Sequence, residues 1–437
     1  MKKISFLLLL AGVLAASCKP TKSTQPPEWL KALSIYEITP KNYSEKRNIA
    51  AITENISKIR SLYVSAIALT PVTPVDIMNS SFNPNDPYAS VSFDELDKEL
   101  GTEAELRKLV DEVHANKMKI LLEFDISYTG VNHPWRTNHV DYYLTNDKKK
   151  NDLYNRDFIT LNYSNSKLRK AILKSMLSWK SRFGIDGIIL LNTDALPADF
   201  CEELSSYLKS KDFLLVSGSQ CPDQVKTNVF DCYFNNRLYD ALKKISDNAA
   251  KTSDFKSIID EISSLPFKGT AINFSRNARI NETDVSEAQL FPYYYKLPNV
   301  ISILIGGIPL VLNGQEEPMF MKYDVKKPTY VTRDYQYNVE LYRGLFIHRK
   351  ENGALFSLEN NMPELISDSE EVLAFERKIG SASIVLMANL TDKQVSYRIS
   401  RTYNQYVEFF TRALVTFDNQ TEYRLGPHQF LVLTNKH

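Results

Sequence analysis

Phe183-Gly184-Ile185-Asp186-Gly187-Ile188-Ile189-Leu190-Leu191-Asn192-Thr193-Asp194 decides the fold. Gly184 suits the left-handed residue that closes a helix. Ile188 to Leu191 is an unbroken apolar run of strand formers, as expected of a strand covered on both faces. Asn192, Thr193 and Asp194 end it. In parallel α/β sheets the chemistry lies at the carboxyl ends of the strands. Here that end stays apolar up to Asn192.

Outward from this strand, helical and strand patterns alternate from about residue 34 to residue 350. Toward the N-terminus lie a helix over 166–183, a strand over 119–126, a helix over 103–116 with Thr102 as N-cap, a strand over 64–69, a helix over 49–62 and a strand over 34–38. Toward the C-terminus follow a helix at 197–208, strands at 213–216 and 229–233, and helical material to about 262. A strand at 270–274, a helix at 287–305, a strand at 309–312 and a helix at 338–350 complete the alternation. Eight strand–helix pairs predict an α/β fold, a (β/α)8 TIM barrel, over residues 29–352. An excursion at about 133–165 interrupts it after the third strand. From 353 to 437 helical periodicity gives way to short strands, which predicts a C-terminal antiparallel β-sandwich.

The chain has 437 residues and a net charge of +1. Near-neutrality, with no Gly-rich phosphate loop and no basic aromatic patch, argues against a nucleic-acid partner. No cluster of His, Asp, Glu and Cys has metal-ligand spacing, and no cofactor is expected. The N-terminus reads as a targeting segment. Lys2 and Lys3 precede an apolar run from Ile4 to Leu14, and Ala15-Ala16-Ser17 leads into Cys18. This resembles a bacterial lipoprotein signal, with residues 1–17 removed, Cys18 lipidated and residues 18–28 a polar, Pro-rich tether. It implies a protein anchored in the cell envelope outside the cytoplasm, facing the periplasm in preference to the cell surface. Of the remaining cysteines, Cys201, Cys221 and Cys232, buried free thiols are expected, and a Cys221–Cys232 disulfide stays open.

Several motifs in order then identify a family. Ile35-Tyr36-Glu37-Ile38, Asp86-Pro87-Tyr88, Leu100-Gly101-Thr102, His133-Pro134-Trp135, Gly184-Ile185-Asp186-Gly187, Ile308-Pro309-Leu310-Val311-Leu312-Asn313-Gly314-Gln315-Glu316 and Leu373-Ala374-Phe375-Glu376-Arg377 together resemble the α-amylase family, glycoside hydrolase family 13. The resemblance runs from about Trp29 to the C-terminus. It implies the barrel with its β-domain, and retaining chemistry on α-glucosidic bonds with a carboxylate nucleophile, a carboxylic acid and a third carboxylate.

The residues at the matching catalytic places differ. The nucleophile position on the fourth strand holds Leu191, and the Arg two residues before it is Ile189. The acid/base position after the fifth strand holds Gly218. The transition-state Asp after the seventh strand is Arg279, preceded by Ala278 in place of His. On the third strand Ser127 and Tyr128 stand for Asn and His, and Ser92-Phe93 replaces a common Asp-Tyr pair. No catalytic residue is therefore expected. Asp125, Asp194, Glu282 and Glu316 lie near strand ends; a surface or capping role is expected of Asp194, a loop role of Glu316 and a pairing with Arg279 of Asp125, the alternative being a hydrolase or transferase whose catalytic pair is displaced to such carboxylates. Tyr88, His133 and Trp135 are the candidate sugar contacts, since aromatic faces cover the apolar face of a pyranose. The expected partners are an oligosaccharide, the membrane through the anchor, and an envelope protein.

Overall fold

The computed structural model describes residues 25–76, 87–144, 158–210, 212–267, 270–317, 319–324, 327, 329–332 and 337–435. Cys18 and Asp86 lie outside the described residues. Eight parallel strands close a barrel: β1 (Ile35–Ile38), β2 (Ala66–Leu69), β3 (Lys119–Asp125), β4 (Gly187–Leu191), β5 (Leu214–Ser217), β6 (Cys232–Phe234), β7 (Ala271–Asn273) and β8 (Ile308–Leu312). Each pairs with its neighbours in sequence, and β8 closes on β1 with Leu310 opposite Ile35. These strands are apolar on both faces because one face fills the barrel and the other meets the helices.

The opening stretch is organised as its residues require. Asn165 caps the helix Ser166–Phe183, its side chain accepting from the backbone N–H of Lys167, and Gly184 ends it at φ +69°. Asp186 then ties two strands together at their N-terminal ends. One carboxylate oxygen accepts from the Ile120 N–H at 3.0 Å and lies 2.8 Å from His114 Nε2, and the other meets Lys119 Nζ at 2.7 Å. A Cβ on Gly187 would lie 2.6 Å from the Leu214 carbonyl oxygen, so only glycine lets β4 lie this close to β5. The Gly-Ile-Asp-Gly motif is thus a structural clasp. Asp186→Ala is expected to lower stability by about 2–3 kcal/mol, read by urea unfolding, because it removes the partner of a buried backbone N–H, the Lys119 ammonium and the His114 ring.

The long helix expected at 287–305 is two, Glu287–Leu290 and Lys296–Leu304. Pro292 lies between them and holds Phe291 out of the helical region, at φ −128°, ψ 71°. The helix expected at 49–62 is likewise divided, at Asn55, whose side chain donates to the Ala51 carbonyl at 2.8 Å. Helix Glu103–Ala115 carries the expected Thr102 cap, reinforced by Glu105 as a capping box. In the 133–165 excursion, Tyr128–Gly130 pairs antiparallel with Phe158–Thr160.

Beyond the last barrel helix (Val339–Glu351) come β9 (Glu364–Leu365), β10 (Val372–Ile379), β11 (Ala382–Asn389), β12 (Val395–Tyr397), β13 (Tyr403–Glu408), β14 (Leu414–Phe417), β15 (Tyr423–Leu425) and β16 (Phe430–Thr434). They form a six-stranded sheet, ordered β9-β10-β11-β16-β13-β14, and a β12–β15 pair. Val372, Ala374, Val385 and Met387 of the large sheet share an apolar core with Val395, Tyr397 and Leu425 of the pair.

Two fully buried arginines join this domain to the barrel. Arg377 donates to the carbonyls of Leu304, Phe356 and Asn361, and Arg349 to those of Leu33 and Leu355 and to Ser357 Oγ. No carboxylate among the described residues pairs with either guanidinium, and burial pulls both down to about 9.

Cys201, Cys221 and Cys232 are all free thiols, so the disulfide left open by the sequence is not formed. Burial pushes Cys201 and Cys221 up to about 12. Among the described residues no helix is long and apolar enough to cross a membrane.

Candidate functional site

The ends of β4 to β7 surround a cavity of about 310 Å3, within the range of small-ligand sites. Its lining brings together all three residues at the matched catalytic places, Leu191, Gly218 and Arg279. Asn192, Asp194, Ser219, Gln220, Asn236 and Asn277 supply polar groups, and Phe234 and Ile280 supply apolar surface. Asp194 is the one carboxylate among these lining residues, and Arg279 the one cation.

Leu191 and Gly218 fit each other. A Cβ on Gly218 would lie 2.6 Å from Leu191 Cδ2, 3.0 Å from Leu191 Cα and 3.1 Å from the Leu190 carbonyl oxygen. The volume that a nucleophile and an acid side chain would share is filled by one leucine. Asn192 adopts the left-handed conformation, φ 49°, and turns the chain away at the strand end. Its side chain donates to Asp125, which also accepts from Ser127 N–H at 3.0 Å and Ser127 Oγ at 2.6 Å. Asp194, on the exposed rim, accepts from Ser219 Oγ at 2.6 Å. Glu316 accepts from Gly314 N–H and from the Tyr36 hydroxyl, holding the loop after β8.

Beneath this cavity the barrel interior holds an acidic pair that the sequence reading passed over, Glu37 of β1 and Glu123 of β3. Both are fully buried. Glu37 accepts from the Ala278 N–H at 2.6 Å and faces Glu123 across the barrel interior. Burial, then the neighbouring Glu123 charge, holds the Glu37 carboxyl well above the usual range, and burial raises Glu123 to about 7. Burial and mutual repulsion disfavour ionising both, so the pair holds a proton more readily than an exposed carboxyl does. A signal was available: each is a charged residue inside a strand that is otherwise buried on both faces.

The candidate sugar contacts divide. Tyr88 is buried beneath Arg279, whose guanidinium lies 5.2 Å above its ring. Its hydroxyl is pushed up by burial and then by Glu123 and Glu37. His133 and Trp135 pack on each other, ring centroids 4.6 Å apart, and both contact Phe93. His133 is 4% exposed and burial pulls it down to about 4, so it presents no open face to a ligand. None of the three lines the cavity. The residues missed by the sequence reading, Gln220, Phe234, Asn236 and Asn277, follow or end strands but carry no motif of their own.

Residues 41–160 match the family description "Alpha amylase, catalytic domain". The α-amylase MalA of Haloarcula japonica is 26% identical over 236 residues, which are 50% of this chain and 34% of that protein. The oligo-1,6-glucosidase of Heyndrickxia coagulans is 21% identical over 235 residues, 44% of this chain and 39% of that protein. The chain thus spans between a third and two fifths of the length of these curated relatives. Among solved structures, the noncanonic maltogenic α-amylase AmyB of Thermotoga neapolitana superposes with a TM-score of 0.79 at 19% identity, covering 93% of this chain and 99% of that one. An α-amylase from Lactobacillus plantarum gives 0.76 at 17% identity, with 93% and 100% covered. Residues 41–160 are thus similar to the α-amylase catalytic domain, and the barrel with its C-terminal sheets has the fold of these solved α-amylases.

Proposed function

We propose that this chain is a non-catalytic α-amylase-like protein that binds a saccharide at the mouth of the barrel, held to the cell envelope by lipid on Cys18. The observation that carries the reading is the cavity lined by Leu191, Gly218 and Arg279. Retaining hydrolysis uses two carboxylates about 5–5.5 Å apart. The cavity lining supplies Asp194 alone, and Leu191 fills the space of a second. A guanidinium at position 279 also opposes the positive charge that develops in glycoside cleavage.

Product analysis on α-glucans is expected to give no turnover above a blank, and measurable cleavage would overturn the non-catalytic reading. Calorimetric titration with maltooligosaccharides and envelope glycans is expected to give saturable binding. Silence across a broad panel would remove the saccharide and leave an envelope protein as the partner to seek. For the anchor, Cys18→Ser is expected to move the protein from the membrane to the soluble fraction. Retention of that variant in membranes would exclude lipidation as the tether.

A further inference from the structure

We infer that the cavity selects a saccharide bearing an acidic group, a uronate or a phosphate, over its neutral counterpart. This rests on the saccharide reading above and names its ligand class. Three observations support it. Arg279 replaces a carboxylate at the cavity wall, so the charge there is reversed. Its guanidinium carbon lies over the buried Tyr88 ring, 5.2 Å from the centroid, a cation–π contact at the cavity wall. A guanidinium carries five N–H donors in a fork that matches carboxylate and phosphate oxygens.

One carboxylate, Asp194, shares the lining. Asp194 is on the exposed rim and engaged by Ser219 Oγ at 2.6 Å. Asp125 is buried, outside the lining, and bonded to Ser127 and Asn192. Glu37 and Glu123 are buried in the barrel interior and do not line the cavity. The rest of the wall suits a sugar ring. Leu191, Phe234 and Ile280 give apolar surface, and Asn236 and Asn277 give amides for hydroxyls. The volume of about 310 Å3 fits a sugar of one or two rings, not a long chain.

The test is calorimetric titration of the full protein with glucose, glucuronic acid, glucose 6-phosphate, maltotriose and inorganic phosphate, at low and moderate salt. The acidic sugars are expected to bind about tenfold or more tighter than glucose, and to weaken as salt rises. Which acid binds tighter distinguishes a uronate from a phosphate ligand. Arg279→Gln is expected to abolish the preference, Arg279→Lys to keep part of it, and Asp194→Asn to increase it. Thermal unfolding of each variant separates lost recognition from lost folding. Equal binding of acidic and neutral sugars overturns this inference and leaves the saccharide reading standing. Binding of inorganic phosphate as tightly as of glucose 6-phosphate also overturns it, since the sugar then contributes nothing. Silence with every saccharide removes both.

Discussion

Gly218→Glu is expected to destabilise the protein by about 2–4 kcal/mol and to leave it unable to cleave a glucan. The new Cβ would start 2.6 Å from Leu191 Cδ2 and 3.0 Å from Leu191 Cα, inside contact distance. Overpacking of this kind costs about 1–3 kcal/mol, and a carboxylate forced against leucine adds desolvation. Leu191→Asp alone is expected to cost about 2–4 kcal/mol, because it removes a buried side chain and puts a charge in its place. The informative protein is the double variant. Removing Leu191 opens the space that the longer side chain at position 218 needs, so the two costs are expected to fall short of their sum by about 1–2 kcal/mol. Denaturant unfolding of the wild type, both singles and the double closes the cycle. Strict additivity would mean that the two positions are not fitted to one another. Restored cleavage in the double variant is not expected, since Arg279 still opposes the cationic transition state.

The second large effect is on pH. Glu123 has an ordinary carboxyl value of 4.5 when exposed and about 7 when folded. Below about pH 4 it is protonated in both states and its titration costs the fold nothing. Between 4.5 and about 7 the unfolded chain gives up the proton while the folded chain keeps it. The unfolded state therefore binds fewer protons, and stability falls as pH rises through this window. A shift of this size corresponds to about 3 kcal/mol, with the loss complete above the folded value. Glu37, raised in the same direction, adds to the slope. Glu123→Gln keeps the shape and removes the titration, so it is expected to flatten the profile and to be the more stable protein at pH 8. Unfolding free energies from pH 4 to pH 8 check this. A wild type that gains stability across that range would show that the pair is ionised in the folded protein.

Much of the fold was legible because it rests on local rules. Gly184, the Thr102 cap and the alternation of apolar runs with amphipathic helices each specify their own neighbourhood, and they sum to a barrel. The family resemblance added the register that picked out Leu191, Gly218 and Arg279, and these three meet at one cavity. What could not be read depends on contacts across the barrel. Glu37 and Glu123 lie far apart in the chain, and the charge of Glu123 raises Glu37 only because β1 and β3 face the same interior. His133 and Trp135 kept a familiar spacing, yet their rings are taken up by Phe93 and by each other. Strands β14 and β15 escaped notice for a different reason. They are short, and most of their residues are half-buried or exposed.

Arg349 and Arg377 have a consequence for how the two halves of the molecule move. Each guanidinium is held by main-chain oxygens contributed from both sides of the junction, Leu33 and Leu304 on the barrel side and Leu355, Phe356 and Asn361 beyond it. Parting the halves would strand a buried cation and several carbonyls at once. The segment near residue 352 is therefore a weld and not a hinge. A chain cut there would stay assembled, and neither fragment expressed alone would keep its face of the joint dry.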